Sequence, residues 1–325
     1  MTNENLDRKS KNRKIFYFLG LTIGGIIFLY QLGKTIYELS NETIELKFSF
    51  SFVLAFIVLL FIRFLQIINW KNLMTGIGHY LPFKEVLSNY SLVLLPRYIP
   101  GGVWGYISRG EWLYKNFQIS YGSSNYISAV EIILVVVSSL QIFILYLYQS
   151  KNLPIILTII LFLLLIIIPY LIFKLRKIGP VDSKLSRSFR KVIDRQPIPF
   201  INYIFSWLIN ILIWVGYGIA IYYFAVSLNL FTDYQVINYT FIFSMAWLIG
   251  FIIFFIPSGI GIREQIMVYL ITNTQMIASS YAALISILMR VSMLLGEMIF
   301  LVMGLLIVRN PSIKKDTTNT TNVLL

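Results

Sequence analysis

The feature that most constrains this chain is a series of apolar runs that are nearly free of charge. Residues 155–173 and 239–256 are two such runs, and each approaches the roughly 20 residues that an α-helix needs to cross about 30 Å of hydrocarbon. No water satisfies backbone N–H and C=O groups there, so only helices and closed barrels span a bilayer. Because the sequence lacks the short alternating segments of a barrel, these runs predict membrane-spanning helices.

Composition leads to the same fold class. Apolar residues make up 58% of the 325 residues and charged residues 13%, which excludes an ordinary soluble domain. We predict an all-α polytopic integral membrane protein whose single transmembrane domain covers residues 15–308, between a basic N-terminus at 1–14 and a polar tail at 309–325. Six full spans are predicted, at residues 15–33, 48–68, 126–148, 153–173, 200–225 and 282–308.

The residue inventory excludes several kinds of chemistry. The chain has no cysteine and a single histidine, His79, which excludes disulfides, thiolate metal sites and histidine metal clusters. The sequence also lacks the Gly-x4-Gly-Lys-Ser/Thr loop that cradles nucleotide phosphates. We therefore expect no cofactor, no metal, no nucleic-acid partner and no ATP hydrolysis by this chain.

Basic residues orient the predicted spans, because Lys and Arg near helix ends stay on the cytoplasmic side. Segments 1–14 and 174–197 are rich in both, whereas the loops at 34–47 and 226–235 have no such excess. We therefore expect both termini and the basic segment in the cytoplasm of a bacterial cell and the two loops outside.

Two apolar segments are interrupted by Pro/Gly clusters. With the orientation above, residues 86–113 must enter and leave on the cytoplasmic side, as a re-entrant hairpin with halves at 86–95 and 103–113. Each half is about 15 Å of helix, half the hydrocarbon depth. Proline removes a backbone donor and glycine permits sharp reversals, so the break falls at Pro96, Pro100, Gly101 and Gly102.

The second interrupted segment, residues 236–272, must by the same reasoning leave and return on the outer side. Its break is predicted at Pro257, Gly259 and Gly261. A full crossing at 236–256 followed by a short ascending segment is the alternative. If both segments are re-entrant, they form an inverted repeat of broken helices that meet at mid-membrane, as in many transporters.

Several ionisable side chains lie within apolar segments, where insertion costs roughly 2.5 to 3.5 kcal/mol each. They are Glu131, Arg263, Glu264, Arg290 and Glu297. One interpretation is structural, with Arg290 paired to Glu131 or Glu264 merely to lock helices together. The other is a polar cavity that receives a lipid headgroup.

Arginines near the two breaks favour an anionic headgroup. Arg97 lies within the first break, Arg109 follows it, and Arg263 follows the second. The N-terminus of a half-helix carries a partial positive charge, and guanidinium groups bind phosphate oxygens bidentately. Two other polar residues are expected to be structural: Arg63 extends toward the cytoplasmic interface, and Asn210 bridges helices.

Two strings resemble a known family, the transmembrane region of the lysylphosphatidylglycerol synthases, or multiple peptide resistance factors. They are LPRYIPGGVWGYISRGEWL at 95–113 and IPSGIGIREQIMVYL at 256–270, and the second is the more specific. The resemblance implies a flippase-like module that moves a lipid headgroup between leaflets of the cell membrane. Carried over by position, the matching residues are Arg97, Pro100, Gly101, Arg109, Pro257, Gly259, Gly261, Arg263, Glu264 and Arg290.

The sequence departs from the full synthases, because only a short polar tail follows the last span. We therefore expect no aminoacyl transfer and no enzyme activity from this chain. Two rival functions are a membrane scaffold for a separately encoded glycosyltransferase or lipid-modifying enzyme, and an enzyme that uses Glu131 or Glu264 as a general base. The lipid, the energy source and the oligomeric state are not predicted.

Overall fold

A computed structural model describes residues 49–92, 104–175, 197–230, 236–253, 256 and 259–309, together with Tyr30, Gly33 and Tyr37. Within these ranges the regular structure is entirely helical, which confirms the all-α fold class. The helices are numbered here from the one that begins at Phe50. They are α1 (Phe50–Gly76), α2 (Phe83–Leu92), α3 (Trp104–Phe117), α4 (Tyr121–Gln149), α5 (Ile155–Leu175), α6 (Phe200–Ser227), α7 (Val236–Ile252), α8 (Ile262–Gln275) and α9 (Ser279–Arg309).

Five of these helices, α1, α4, α5, α6 and α9, are long and apolar enough to cross a membrane. They confirm five of the six predicted spans and the multi-pass character of the chain. The first predicted span, 15–33, lies outside the described residues apart from Tyr30 and Gly33, which are helical. The N-terminus, most of the basic 174–197 segment and nearly all of the C-terminal tail also lie outside them, so the orientation of the termini stays a prediction.

The spanning helices divide into a central group and a peripheral one. Half of the most apolar stretch of α4, α6 and α9 is buried inside the protein, against 11% for α5. A helix that is apolar on all sides yet exposed on most of them requires an apolar solvent. Helix α5 therefore faces lipid along much of its length, and α4, α6 and α9 form the interior.

Helices α1 and α6 form a long antiparallel pair. Near one end, Asn72 Nδ2 donates to the backbone oxygen of Asn202 at 2.7 Å, and near the other the rings of Phe52 and Phe224 lie 5.3 Å apart. These contacts align the two helices along most of their length. Because the pairing spans both ends, it fixes the depth at which each side chain on α1 lies.

Helices α2 and α3 flank the first predicted break. They overlap the predicted half-helices at 86–95 and 103–113, although α2 begins three residues earlier and α3 ends four residues later than predicted. They lie side by side, since Asn89 Nδ2 donates to the backbone oxygen of Arg109 at 3.2 Å. The predicted break residues, Pro96, Pro100, Gly101 and Gly102, lie outside the described residues, and the entry and exit of this pair on one membrane face stay a prediction.

Helices α7 and α8 flank the second break. Helix α7 runs antiparallel to α6, with Tyr222 near Tyr239 at one end and Trp214 near Trp247 at the other. Its 17 residues make about 25 Å of helix, and it ends at Ile252, short of the full crossing at 236–256 considered as an alternative.

The turn before α8 requires glycine at two positions. Gly259 and Gly261 have φ angles of +65° and +84°, a region that side chains with a Cβ atom rarely adopt. This agrees with the predicted break, whose Pro257 lies outside the described residues. The interruption of the helical segment therefore follows from backbone conformation at these glycines.

Helices α6 and α7 approach each other closely at Gly218. A Cβ atom at this position would meet the backbone N of Thr240 at 2.7 Å and its Cα at 2.9 Å. Backbone atoms cannot move aside as a flexible side chain can. By contrast, a Cβ atom at Gly296 would meet only the side chain of Leu60, at 3.5 Å, an ordinary contact distance.

We expect Gly218→Ala to destabilise the folded protein by about 1–3 kcal/mol through overpacking, while Gly296→Ala leaves stability unchanged or raises it slightly. Both substitutions gain the same helix propensity, so their difference isolates the steric clash. Thermal unfolding of the purified variants in detergent measures the effect. Equal melting temperatures for the two variants would contradict the close α6–α7 approach.

Candidate functional site

A cavity of about 580 Å³ lies among the helices, and both broken pairs contribute to its lining. The first pair contributes Tyr90, Gly105, Tyr106 and Arg109, and the second contributes residues that include Gly259 and Arg263. Apolar and aromatic side chains from α4, α6, α7 and α9 complete much of the wall. The charged residues of the lining are Arg63, Arg109, Glu131, Arg263, Arg290 and Glu297.

The structure brings together most of the predicted site residues. Five of the seven line this cavity, and Glu264 lies directly behind it, in contact with Arg290. Arg97 lies outside the described residues. The sequence therefore identified a real cluster of intramembrane charges, and the role of these residues in binding stays a prediction.

Arg109 is the most enclosed charge of the cluster. Its side chain is 1% exposed, and its Nη1 donates to Glu131 Oε2 at 2.7 Å. The guanidinium carbon lies 3.9 Å from the ring centroid of Trp70 and 4.9 Å from that of Tyr90, so both rings hold it through cation–π contacts. The carboxylate and the rings together fix the Arg109 side chain, which lies near the middle of α3.

Arg290 and Glu264 join the last helix to the second break. Arg290 Nε lies 3.5 Å from Glu264 Oε1, and Glu264 Oε2 accepts a hydrogen bond from the backbone N–H of Gly261 at 2.6 Å. A carboxylate at the first turn of a helix satisfies an otherwise orphaned donor and complements the helix dipole. Glu264 therefore couples the start of α8 to α9. This is one of the two pairings that the structural interpretation predicted for Arg290.

The expectation that Arg63 extends toward the membrane interface is wrong. It is 4% exposed, forms an ion pair with Glu297 on α9, and donates to Gln66 Oε1 at 3.0 Å. The error arose because the span was predicted to end at residue 68. Helix α1 continues to Gly76, which places Arg63 13 residues, or about 20 Å, from its C-terminal end.

Two glycines make room for Arg263. A Cβ atom at Gly250 would meet Arg263 Cγ at 2.5 Å, and one at Gly259 would meet its Nε at 2.8 Å. The guanidinium carbon lies 5.5 Å from the ring centroid of Trp247. Gly250 was not singled out from the sequence, because nothing in its neighbourhood in the chain indicates that an arginine from another helix passes over it.

A set of neutral polar groups continues the cavity wall from Arg63. Gln66 Nε2 donates to the hydroxyl of Tyr217 at 3.3 Å, and the hydroxyl of Tyr90 donates to Gln66 Oε1 at 3.4 Å. Asn210 also lines the cavity, but its amide donates to Ser206 of its own helix rather than bridging two helices as expected. Neutral side chains that hydrogen-bond to one another thus line the wall between the charged residues.

Among the described residues, three ion pairs therefore organise this cavity, and each joins two helices. Guanidinium groups are suited to phosphate oxygens, and aromatic rings line the space beside them. The arrangement can hold a polar, phosphate-bearing group inside an otherwise apolar bundle.

Comparison with known proteins identifies a family. The family model described as "Lysylphosphatidylglycerol synthase TM region" matches residues 17–300. No curated protein sequence matches the chain. The matched range includes both broken segments and every charged residue of the cavity.

We expect Glu131→Gln to destabilise the protein by about 3–5 kcal/mol, because it leaves Arg109 buried without its carboxylate. Denaturant unfolding in detergent measures the change. The matched control is Glu111→Gln, which breaks a pair with Lys115 of the same 2.7 Å length whose side chains are 50% and 68% exposed, and it should change stability little. Similar losses in the two variants would contradict the view that burial makes the Arg109–Glu131 pair costly to break.

Proposed function

The chain belongs to the lysylphosphatidylglycerol synthase transmembrane-region family, and we propose that this multi-pass membrane protein of lipid-related processes is a flippase-like transporter. It moves the headgroup of a phospholipid or glycolipid between leaflets of the cell membrane. The observation that carries the proposal is the cavity between the two broken helix pairs, lined by arginines from α1, α3, α8 and α9.

The size and chemistry of the cavity support this function. A volume of about 580 Å³ lies within the range of small-molecule sites, so a lipid headgroup fits while its acyl chains remain in the surrounding bilayer. Arg109, Arg263 and Arg290 contact the phosphate, and Glu131 and Glu297 balance charge or contact a cationic substituent. A headgroup that crosses through such a cavity avoids the cost of entering hydrocarbon alone.

The ion pairs support a transport role as well as a structural one. Burial of an arginine without a counter-ion costs free energy. Before a substrate binds, each buried arginine therefore needs a carboxylate beside it. A phosphate that enters can replace a carboxylate as the partner of Arg290 or Arg109 without leaving either charge exposed to lipid. Since each pair joins two helices, such an exchange also loosens or restores contacts at the broken segments.

We propose that this chain is not itself an enzyme. Glu131 accepts a hydrogen bond from Arg109, and Glu264 accepts one from the backbone of Gly261 beside Arg290. A carboxylate in such contacts is a poor general base, because its lone pairs are already engaged in hydrogen bonds. The rival function is that of a membrane scaffold, and transport measurements must distinguish the two.

We expect Arg263→Ala to slow lipid exchange by about tenfold to a hundredfold, since it removes one charge-assisted contact to the phosphate. The measurement uses purified protein in liposomes that contain fluorescent phospholipids or glycolipids, with an impermeant quencher added outside. Lys115→Ala, at an exposed position of α3, is the control and should exchange lipid at the wild-type rate.

If Arg263→Ala exchanges lipid at the wild-type rate, Arg263 is not part of the binding site. If the wild-type protein moves no lipid but co-purifies stably with a glycosyltransferase or lipid-modifying enzyme, the scaffold function replaces transport. Melting temperatures of the variants distinguish a lost contact from a failure to fold.

A further inference from the structure

Asn69 is a buried asparagine whose amide is not fully hydrogen-bonded. It lies on α1, lines the cavity and is 2% exposed. Its Oδ1 has no hydrogen-bond partner among the described residues. A buried polar atom without a partner lowers the stability of the fold, so its presence in a cavity wall points to a ligand that supplies the missing hydrogen bond.

Asn89 shows how a buried asparagine is satisfied elsewhere in the same bundle. It lies on α2 and is fully buried. Its Oδ1 accepts a hydrogen bond from Trp70 Nε1 at 3.0 Å, and its Nδ2 donates to the backbone oxygen of Arg109 at 3.2 Å. Both ends of this amide therefore join helices together. Asn69 differs because its Oδ1 forms no such contact with the described residues.

Tyr217 brings a hydrogen-bond donor to the same cavity. It lies on α6, lines the cavity and is buried, and its hydroxyl oxygen accepts a hydrogen bond from Gln66 Nε2 at 3.3 Å. A phenol has one hydrogen to donate besides the lone pairs that accept, so the hydroxyl hydrogen of Tyr217 is left for a further acceptor. The wall that α1 and α6 form thus presents an acceptor, Asn69 Oδ1, and a donor, the Tyr217 hydroxyl.

A hydroxyl group matches this wall better than the other substituents of lipid headgroups do. An ammonium group donates but does not accept, a phosphate oxygen accepts but does not donate, and the quaternary nitrogen of choline does neither. A hydroxyl group does both. The rings of Trp214 and Trp247 line the same cavity, and they provide apolar surface against which the carbon skeleton of a polyol can pack.

We propose, on the premise of the transport function above, that Asn69 and Tyr217 form a subsite for hydroxyl groups of the transported headgroup. The substrate class is then a phospholipid whose phosphate carries a polyol, such as glycerol or a sugar. A site built to hydrogen-bond a hydroxyl group discriminates against an analogue that lacks it, because the buried polar groups of the site then stay unpaired.

The test compares two lipids that differ in hydroxyl groups alone. Phosphatidylglycerol and phosphatidylpropanol have the same phosphodiester charge and the same number of headgroup carbons, but phosphatidylpropanol has no free hydroxyl. Acyl-labelled forms of both are titrated onto purified wild-type protein in nanodiscs of phosphatidylcholine. We expect phosphatidylglycerol to bind about tenfold more tightly. Equal affinities, tighter binding of phosphatidylpropanol, or binding of neither would overturn the hydroxyl subsite.

A matched pair of variants, Asn69→Leu and Asn89→Leu, tests the role of the unpaired amide. Asn69→Leu should bring the two affinities within about threefold while the melting temperature stays at or above that of the wild type, because no hydrogen bond among the described residues is lost. Asn89→Leu should lower the melting temperature by about 5 °C or more, since it leaves Trp70 Nε1 without its acceptor. If Asn69→Leu lowers the melting temperature as much as Asn89→Leu, or keeps the full lipid preference, Asn69 is not part of a ligand subsite.

Exchange in liposomes separates this inference from the transport function. If phosphatidylglycerol binds with the expected preference, and Asn69→Leu removes it, but the wild-type protein moves no lipid between leaflets, transport is wrong and the hydroxyl subsite stands. Soluble glycerol phosphate is the competitor that identifies the source of the headgroup. We expect phosphatidylglycerol to stay bound at equal concentrations of this competitor, whereas its displacement would assign the site to a free polyol phosphate and contradict the lipid assignment.

Discussion

Burial of arginine in a low-dielectric bundle is the constraint on which the rest of this structure depends. A guanidinium that cannot reach water needs a carboxylate as its counter-ion, and in this bundle another helix supplies each carboxylate. Arg109 obtains Glu131 from α4, Arg290 obtains Glu264 from α8, and Arg63 pairs with a glutamate of α9. The packing of the broken helix pairs against the long helices follows from these partnerships.

The same pairs define a place where the bundle can open. A packed apolar interface resists a gap because every lost contact is unfavourable. Ion pairs between helices behave differently, since an anion that enters can take the place of the carboxylate. The cavity is lined by charged residues of three such pairs and by residues of both broken helix pairs, and the glycines at 250 and 259 leave the space that Arg263 occupies. A neutral bundle of the same helices would lack both this space and the charged groups that bind a headgroup.

Much of the fold could be predicted from the sequence because lipid imposes a simple rule, a long apolar run for each span. The second break could be predicted for the same reason, because glycines and prolines stand out in apolar runs, and Gly259 and Gly261 do adopt the backbone that glycine favours. Pairings between side chains of different helices could not be predicted, because they depend on the depth at which each side chain lies in the bundle. Arg63 was misplaced when its helix was predicted to end at residue 68, and Gly250 acquires its role only from a side chain on another helix.

The central claim is that the cavity is the path of a headgroup between leaflets, and cysteine accessibility tests it most directly. The chain has no native cysteine, so a single Ile132→Cys on the α4 wall reports this cavity alone. In sealed proteoliposomes, a membrane-impermeant thiol reagent should modify it from either side, and added phospholipid should slow both reactions. Modification from neither side, or from one side only, would contradict a path that opens to both leaflets.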